Sequence, residues 1–149
     1  MKWLRIPCIL LFVCSLTNPA LAGDREVDAV AIEAAVRNYI EGWFTSDPAR
    51  MRQSLHPNLL KATVRTMQES GTEYLDIIET ESLVAYAAHN QQWVAGKELK
   101  ELHIVYQDEH IAVVHAVSTD FYDVCGLIKV EGEWKILQVL WARTDVDNN

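Results

Sequence analysis

The sequence predicts a single α+β domain in which helices come first and a long antiparallel meander follows. Apolar residues recur at three- and four-residue steps between Val27 and Thr45, as in a helix with one buried face. Residues 98–143 are instead rich in Val, Ile, Tyr, Phe and Trp, which favour strands. A chain of 149 residues that is 50% hydrophobic has room for one domain. We therefore expect the early helices to cover one face of the later sheet.

The first 22 residues have the pattern of a signal peptide. Lys2 and Arg5 precede an apolar run from Ile6 to Leu16, and small residues occupy both positions of Ala20-Leu21-Ala22 that a signal peptidase reads. We expect cleavage after Ala22, export to the periplasm or the exterior of a bacterium, and a mature domain of residues 23–149. The apolar run is shorter than the roughly 20 residues of a membrane span, so no membrane association is expected after cleavage.

The charge and the cysteines narrow the range of partners. The formal net charge is −8, and loss of Lys2 and Arg5 with the signal makes the mature chain more acidic still. Such a chain repels nucleic acid and anionic membranes, so neither is expected as a partner. Two of the three cysteines, Cys8 and Cys14, lie in the signal, which leaves Cys125 without a partner in its own chain. The core is expected to supply the stability alone.

Two helices are predicted at the start of the mature domain. The first carries one apolar stripe, formed by Ile32, Val36, Tyr39 and Trp43. It is expected to end at Ser46-Asp47-Pro48, where Asp47 can cap a second short helix from Pro48 to Leu55. His56-Pro57-Asn58 ends that helix, because the residue before a proline is pushed away from helical angles.

A hairpin, a third helix and four strands complete the prediction. Leu59–Met67 and Tyr74–Ile78 suit two short strands, and Leu83–Trp93 suits a helix closed by Gly96. Antiparallel strands joined by tight turns are then predicted at residues 98–107, 110–120, 121–130 and 133–143.

This element order and four local segments resemble the nuclear transport factor 2-like superfamily, with its SnoaL-like cone. The segments are Tyr39-Ile40-Glu41-Gly42-Trp43 followed by Asp47, Leu55-His56-Pro57-Asn58-Leu59, Gly132-Glu133-Trp134-Lys135-Ile136, and Val139-Leu140-Trp141. They are similar to the branch called putative lumazine-binding proteins. The resemblance implies a curved antiparallel sheet with a mixed edge, wrapped around the N-terminal helix and joined by two further helices.

The same resemblance implies a pocket at the open end of the cone for a small, mostly apolar molecule. The superfamily includes polyketide cyclases, dehydratases and ketosteroid isomerases beside members with no catalysis, so the fold alone does not assign chemistry. No metal site is expected, because the five histidines lack a paired ligand spacing. A Gly-rich phosphate loop and a Gly-x-Ser-x-Gly elbow are also lacking, and no cofactor is expected.

Asp120 and His56 are the candidate catalytic residues. Asp120 is predicted on a strand beside small residues, where a buried carboxylate needs a partner or a wet cavity. His56 follows the second helix, where the fold would bring it towards the open end. The two could act as base and oxyanion stabiliser. Alternatively, His56 satisfies local backbone, as polar residues in loops often do.

Four aromatic residues are candidates for holding a small apolar or aromatic ligand: Tyr39, Trp43, Tyr122 and Trp141. Aromatic residues at helical or strand spacing are also common in cores, so a packing role is the alternative. Trp134 is assigned to the core.

Alternation along the last strand predicts how the sheet is used. Leu137, Val139 and Trp141 would lie on one face, and Trp134, Ile136, Gln138 and Leu140 on the other. Both faces are then mainly apolar. Because an apolar face needs cover, we predict a homodimer through the sheet.

Three functions remain open. The leading hypothesis is an exported protein that binds a small ligand in the cone. The second is a cofactor-independent dehydratase, isomerase or cyclase that uses Asp120 or His56 as a base. The third is a non-catalytic interaction module in which the sheet surface binds a protein.

Overall fold

The computed structural model describes residues 19–144, with side chains from Arg25 onward. The predicted signal segment therefore lies outside the described residues, apart from positions 19–22, which belong to the first helix. The elements in chain order are α1 (Pro19–Phe44), α2 (Pro48–Ser54), β1 (Leu55–Thr66), β2 (Glu73–Glu79), α3 (Thr80–Ala87), α4 (Gln91–Val94), β3 (Leu99–Gln107), β4 (Ile111–Ser118), β5 (Phe121–Val130) and β6 (Glu133–Arg143).

The first two helices follow the sequence pattern closely. The predicted stripe of α1 is buried at Ile32, Val36 and Tyr39. Asp47 caps α2 by accepting a hydrogen bond of 2.9 Å from the backbone N–H of Arg50. Gly42 lets the two helices approach, since a Cβ there would lie 2.9 Å from the backbone nitrogen of Met51.

The predicted third helix, Leu83–Trp93, is two helices instead of one, and Asn90 is the physical reason. The Asn90 side chain is fully buried. Its amide donates to the Trp43 carbonyl at 2.9 Å, and its oxygen accepts from the Ser46 hydroxyl at 2.7 Å. Because these bonds tie Asn90 to the end of α1, the chain leaves the helix after Ala87 and begins α4 at Gln91.

The sheet has six strands in the order β2-β1-β6-β5-β4-β3. Neighbouring strands are antiparallel except β1 and β6, which are parallel. The predicted hairpin is confirmed as β1 and β2, and the predicted meander as β3 to β6. The curved mixed sheet and its helices confirm the α+β cone that the resemblance implied.

One prediction about β6 is wrong. The pairing of β5 with β6 shifts between Gly126 and Leu127, which face Gln138 and Ile136, so Leu137 is an extra residue. This bulge resets the alternation of side chains along the strand. Trp134 and Ile136 therefore face the core together with Val139, instead of lying opposite it.

The core lies between α1 and the inner face of the sheet. Trp134 is 5% exposed, as expected of a core residue, and its indole N–H donates to Asp28 of α1 at 3.0 Å. The same carboxylate accepts from Lys129 at 2.6 Å. Cys125 is fully buried as a free thiol, and burial raises its pKa well above the ordinary value. Among residues 19–144, no helix is both long and apolar enough to cross a membrane.

Candidate functional site

A cavity of about 880 Å³ opens between α1, the α3–α4 segment and the inner face of the sheet. Six aromatic side chains line it: Tyr39, Trp43, Tyr86, Trp93, Phe121 and Trp141. Tyr86 and Trp93 are 56% and 61% exposed and lie at the mouth. The volume falls within the range of roughly 300–1,000 Å³ that is common for small-molecule sites.

A buried ion pair lies at the inner end of this cavity. Lys61 on β1 is 7% exposed, and Asp123 on β5 is completely buried. The Lys61 Nζ donates to Asp123 Oδ1 at 2.8 Å and to the Tyr39 hydroxyl at 2.6 Å. Asp123 Oδ2 is buried and has no hydrogen-bond partner within the described part of the chain. Burial, followed by the charge of Asp123, raises the pKa of Tyr39 well above its ordinary value, so its hydroxyl stays protonated at neutral pH.

Three aromatic rings surround the Lys61 ammonium. Its Nζ lies 5.3 Å from the ring centroid of Tyr39, 5.4 Å from that of Phe121 and 5.1 Å from that of Trp141. Cation–π attraction operates within about 6 Å and strengthens when the cation is desolvated. The rings and Asp123 therefore fix the position of the Lys61 ammonium on the cavity wall.

Asp120 lines the cavity. The sequence predicts it on a strand, but it does not lie on one. It lies in the turn between β4 and β5, because β4 ends at Ser118 and β5 begins at Phe121. Its Oδ2 accepts from Lys97 at 2.7 Å, and both side chains are 32% exposed. Its Oδ1 is buried without a partner among the residues described. Asp120 thus lies in the cavity wall with one carboxylate oxygen that is unpaired among the described residues.

His56 does not belong to this cavity, so the predicted pair of Asp120 and His56 does not converge. His56 Nδ1 accepts a hydrogen bond of 3.1 Å from the backbone N–H of Asn58. This is the local backbone bond that was the alternative interpretation of His56. The two side chains do not meet, because His56 lies near the start of β1, before Pro57, and its ring bonds to the backbone of its own segment.

Tyr122 is the second predicted site residue that lies elsewhere. Successive side chains of a strand point to opposite faces, and Phe121 faces the cavity. Tyr122 therefore lies on the outside, 38% exposed, with its ring 5.9 Å from that of His115. The other three predicted ligand residues, Tyr39, Trp43 and Trp141, do line the cavity.

Lys61, Asp123 and Phe121 are site residues that sequence reasoning missed. A signal was present for Asp123, which alternates with Cys125 and Leu127 at core positions of a strand. A carboxylate at such a position requires a buried partner. No group of three or more His, Cys, Asp or Glu side chains that could hold a metal ion occurs within residues 19–144.

Comparison with known proteins identifies the family. The family model described as putative lumazine-binding matches residues 27–142, which is most of the chain. The chain belongs to the putative lumazine-binding family. Within the wider nuclear transport factor 2-like superfamily, this member of the family has many solved structural neighbours, whereas no curated protein gives a significant sequence match.

Three of these neighbours illustrate the likeness. A nuclear transport factor 2-like protein with a cystatin-like fold from Novosphingobium aromaticivorans has a TM-score of 0.63 and 12% identity, and the alignment covers 91% of this chain and 94% of that one. A nuclear transport factor 2-like protein of unknown function from Shewanella baltica has a TM-score of 0.58 and 18% identity, and the alignment covers 79% of this chain and 94% of that one. A putative scytalone dehydratase from Novosphingobium aromaticivorans has a TM-score of 0.54 and 11% identity, and the alignment covers 83% of this chain and 88% of that one. At these identities the likeness shows the fold alone.

Proposed function

We propose that this protein binds a small molecule with a flat, apolar body in its cavity. The observation that carries the proposal is a cavity of about 880 Å³ lined by six aromatic side chains, with two unpaired buried polar atoms on residues of its wall. Trp141 Nε1 is an unpaired donor and Asp120 Oδ1 an unpaired acceptor within the described residues. Each such group costs about 1–3 kcal/mol when buried unsatisfied, which a ligand's polar groups would offset. Lumazine, after which the family is named, is itself a flat heteroaromatic molecule.

The roles of the side chains follow from their places in the cavity. Tyr39, Trp43 and Trp141 supply rings on which a flat ligand can stack. Asp120 orients the ligand by accepting a hydrogen bond at Oδ1. Trp93, at the mouth, covers the outer end of the ligand.

Fluorescence titration with the neutral probe N-phenyl-1-naphthylamine tests this function. Binding in the cavity should saturate at one probe per chain, and Trp43→Ala should weaken it about tenfold, since loss of a stacked ring costs roughly 1 kcal/mol or more. Tyr122→Ala, on the outside of the sheet, is the matched control and should leave the affinity unchanged. Equal effects of both variants, or no saturable binding, would contradict the proposal.

A cofactor-independent dehydratase, isomerase or cyclase is the second candidate function. It is favoured by the free Oδ1 of Asp120, which could accept a proton from a substrate C–H or O–H bond in the cavity. A neighbour described as a putative scytalone dehydratase has the same fold. Deuterium exchange into aromatic ketones of cavity size, followed by NMR, would reveal such chemistry. Exchange that survives Asp120→Asn would argue against Asp120 as the base.

We further propose that a second copy of the chain covers the outer face of the sheet, defined by Val64, Leu75, Val124 and Leu140. These side chains are 62%, 60%, 36% and 51% exposed. Val64 pairs with Leu75 and Val124 with Leu140, so they form adjacent apolar rows across four strands. A two-fold dimer brings this face against its own copy.

Size-exclusion chromatography with light scattering, which measures the molar mass in solution, tests the dimer. Leu140→Lys should convert a dimer to a monomer, whereas Lys100→Ala, at an exposed site on β3, should not. A monomeric wild-type protein would favour another protein as the occupant of this face, which is the interaction-module hypothesis.

Export is proposed from the sequence pattern of residues 1–22. Expression of the full chain in a bacterium should yield protein outside the cytoplasm whose mass corresponds to a chain beginning at Gly23. Full-length protein confined to the cytoplasm would contradict it.

A further inference from the structure

We infer that the ligand of this cavity carries an anionic group, and that it binds at a cationic cluster formed by Lys61, Arg65 and Arg143. The inference rests on the proposed binding function and names the chemical class of the ligand, a small aromatic acid. All three side chains line the cavity.

The cationic cluster is arranged around one ring, that of Trp141. The Lys61 Nζ lies 5.1 Å and the Arg65 Cζ 5.6 Å from the ring centroid. Arg143 follows Trp141 by two residues on β6, so its side chain leaves the strand on the same face. An anion stacked beside Trp141 would therefore be within reach of three positive groups.

The charges of the cluster do not balance within the described residues. Lys61 pairs with Asp123 at 2.8 Å and Arg65 pairs with Asp76 at 2.5 Å. Arg143, by contrast, has no carboxylate within 4.0 Å in residues 19–144. Asp120, the other carboxylate of the cavity wall, is already paired with Lys97. Among the described residues of the cavity wall, one positive charge is therefore left over.

Hydrogen-bonding capacity points in the same direction. An ammonium has three N–H groups, and Lys61 uses two of them, on Asp123 and Tyr39. The Trp141 indole N–H is buried and lacks an acceptor within the described part of the chain. An oxyanion such as a carboxylate or sulfonate accepts several hydrogen bonds and donates none, so it complements these donors. A cationic ligand would meet repulsion at the same place.

Two probes that share one fluorophore separate this inference from the binding function. 8-Anilinonaphthalene-1-sulfonate carries a sulfonate, and N-phenyl-1-naphthylamine is its neutral counterpart. Arg143→Gln should weaken the sulfonate probe about tenfold, the contribution expected of one charge-assisted hydrogen bond, and leave the neutral probe within about twofold. Arg52→Gln removes the same charge from an exposed pair with Glu81 outside the cavity and is the matched control.

The outcomes are distinct. Neutral-probe binding with no effect of Arg143→Gln on the sulfonate probe would overturn the anion inference while leaving the binding function intact. An equal effect of Arg52→Gln would also overturn it, because the cause would then be net charge. Failure of both probes to bind the wild-type protein would overturn the binding function and the inference together. Arg143 is exposed, and circular dichroism would verify that the variant folds.

Discussion

The Lys61 ammonium on β1 lies 2.8 Å from the Asp123 carboxylate on β5, and β6 lies between those two strands in the sheet. The two side chains therefore meet across the intervening strand, on the face that packs against α1. Tyr39 of α1 completes the group through its hydroxyl, 2.6 Å from the same nitrogen. Three elements that are distant in sequence are joined at the inner end of the cavity.

Removing one member of this pair should destabilise the protein strongly. Asp123→Leu leaves the Lys61 charge buried without a counter-charge, and such changes cost about 3–5 kcal/mol. Lys61→Met should have a similar effect. The double variant Lys61→Met/Asp123→Leu should lose less than either single variant, since neither charge is then left unpaired. Urea unfolding of the four proteins measures the free energies. Additive losses would mean that the two residues act independently.

Asp28 should make stability depend on pH in the acid range. Hydrogen bonds from Lys129 and Trp134 hold the pKa of this carboxyl below its ordinary value. A depressed pKa in the folded state means that the contribution is complete above about pH 4 and is lost as the pH falls through the folded-state pKa. Asp28→Asn should cost about 1 kcal/mol at pH 7 and less at pH 2.5. Thermal unfolding at several pH values tests this, and a cost that does not change with pH would contradict it.

Gly42→Ala should destabilise the protein although alanine is the better helix former. Intrinsic propensity favours alanine by up to about 1 kcal/mol. The new Cβ would, however, lie 2.9 Å from the Met51 nitrogen and 3.1 Å from the Asp47 carbonyl oxygen, both backbone atoms. Overpacking of this kind costs roughly 1–3 kcal/mol, so a net loss is expected. Denaturant unfolding gives the sign of the change in the free energy of unfolding. A gain in stability would show that α2 shifts to accommodate the new Cβ.

Asp120→Asn should shift the selectivity of the cavity towards anions. The change removes a negative charge that is paired with Lys97 and leaves that cation uncompensated. Because the pair is about one-third exposed, the effect should be modest, about two- to fivefold tighter binding of the sulfonate probe. The neutral probe should change little. Weaker binding of the sulfonate probe would mean that Asp120 contacts the ligand in another way.

The fold was largely predictable because local patterns and the tertiary structure agree. The α1 stripe, the cap at Asp47 and the four strands of the meander all follow from spacing and turn chemistry in the sequence. The two misjudged elements depend on long-range contacts. Asn90 leaves the helix because Trp43 and Ser46 bond to its side chain. Leu137 bulges because of its pairing with β5, which periodicity within one strand does not reveal.

The candidate site was less predictable, since it is assembled from residues that are far apart in the chain. Tyr39 and Trp141 can be nominated as aromatic residues, but their contacts with Lys61 depend on how α1 packs on β1 and how β1 pairs with β6. The cost of burying a carboxylate points to Asp120 in the sequence, but Asp120 lies in a turn. The same cost applies to Asp123, at a core position of β5, and there it indicates the ion pair. Nothing in the sequence alone places Lys61 opposite it.

The break at Asn90 separates the anchor of the α3–α4 segment from the entrance of the cavity. Asn90 fastens the chain to the end of α1, and the residues directly after it, including Trp93, stand at the cavity mouth. Asn90, the anchor, and Trp93, at the entrance, are thus close in sequence, but Asn90 bonds to the end of α1 whereas Trp93 lines the cavity. Substitutions after the anchor can reshape the entrance while the interior packing stays as it is. The attachment of this segment and the shape of the entrance therefore depend on different residues.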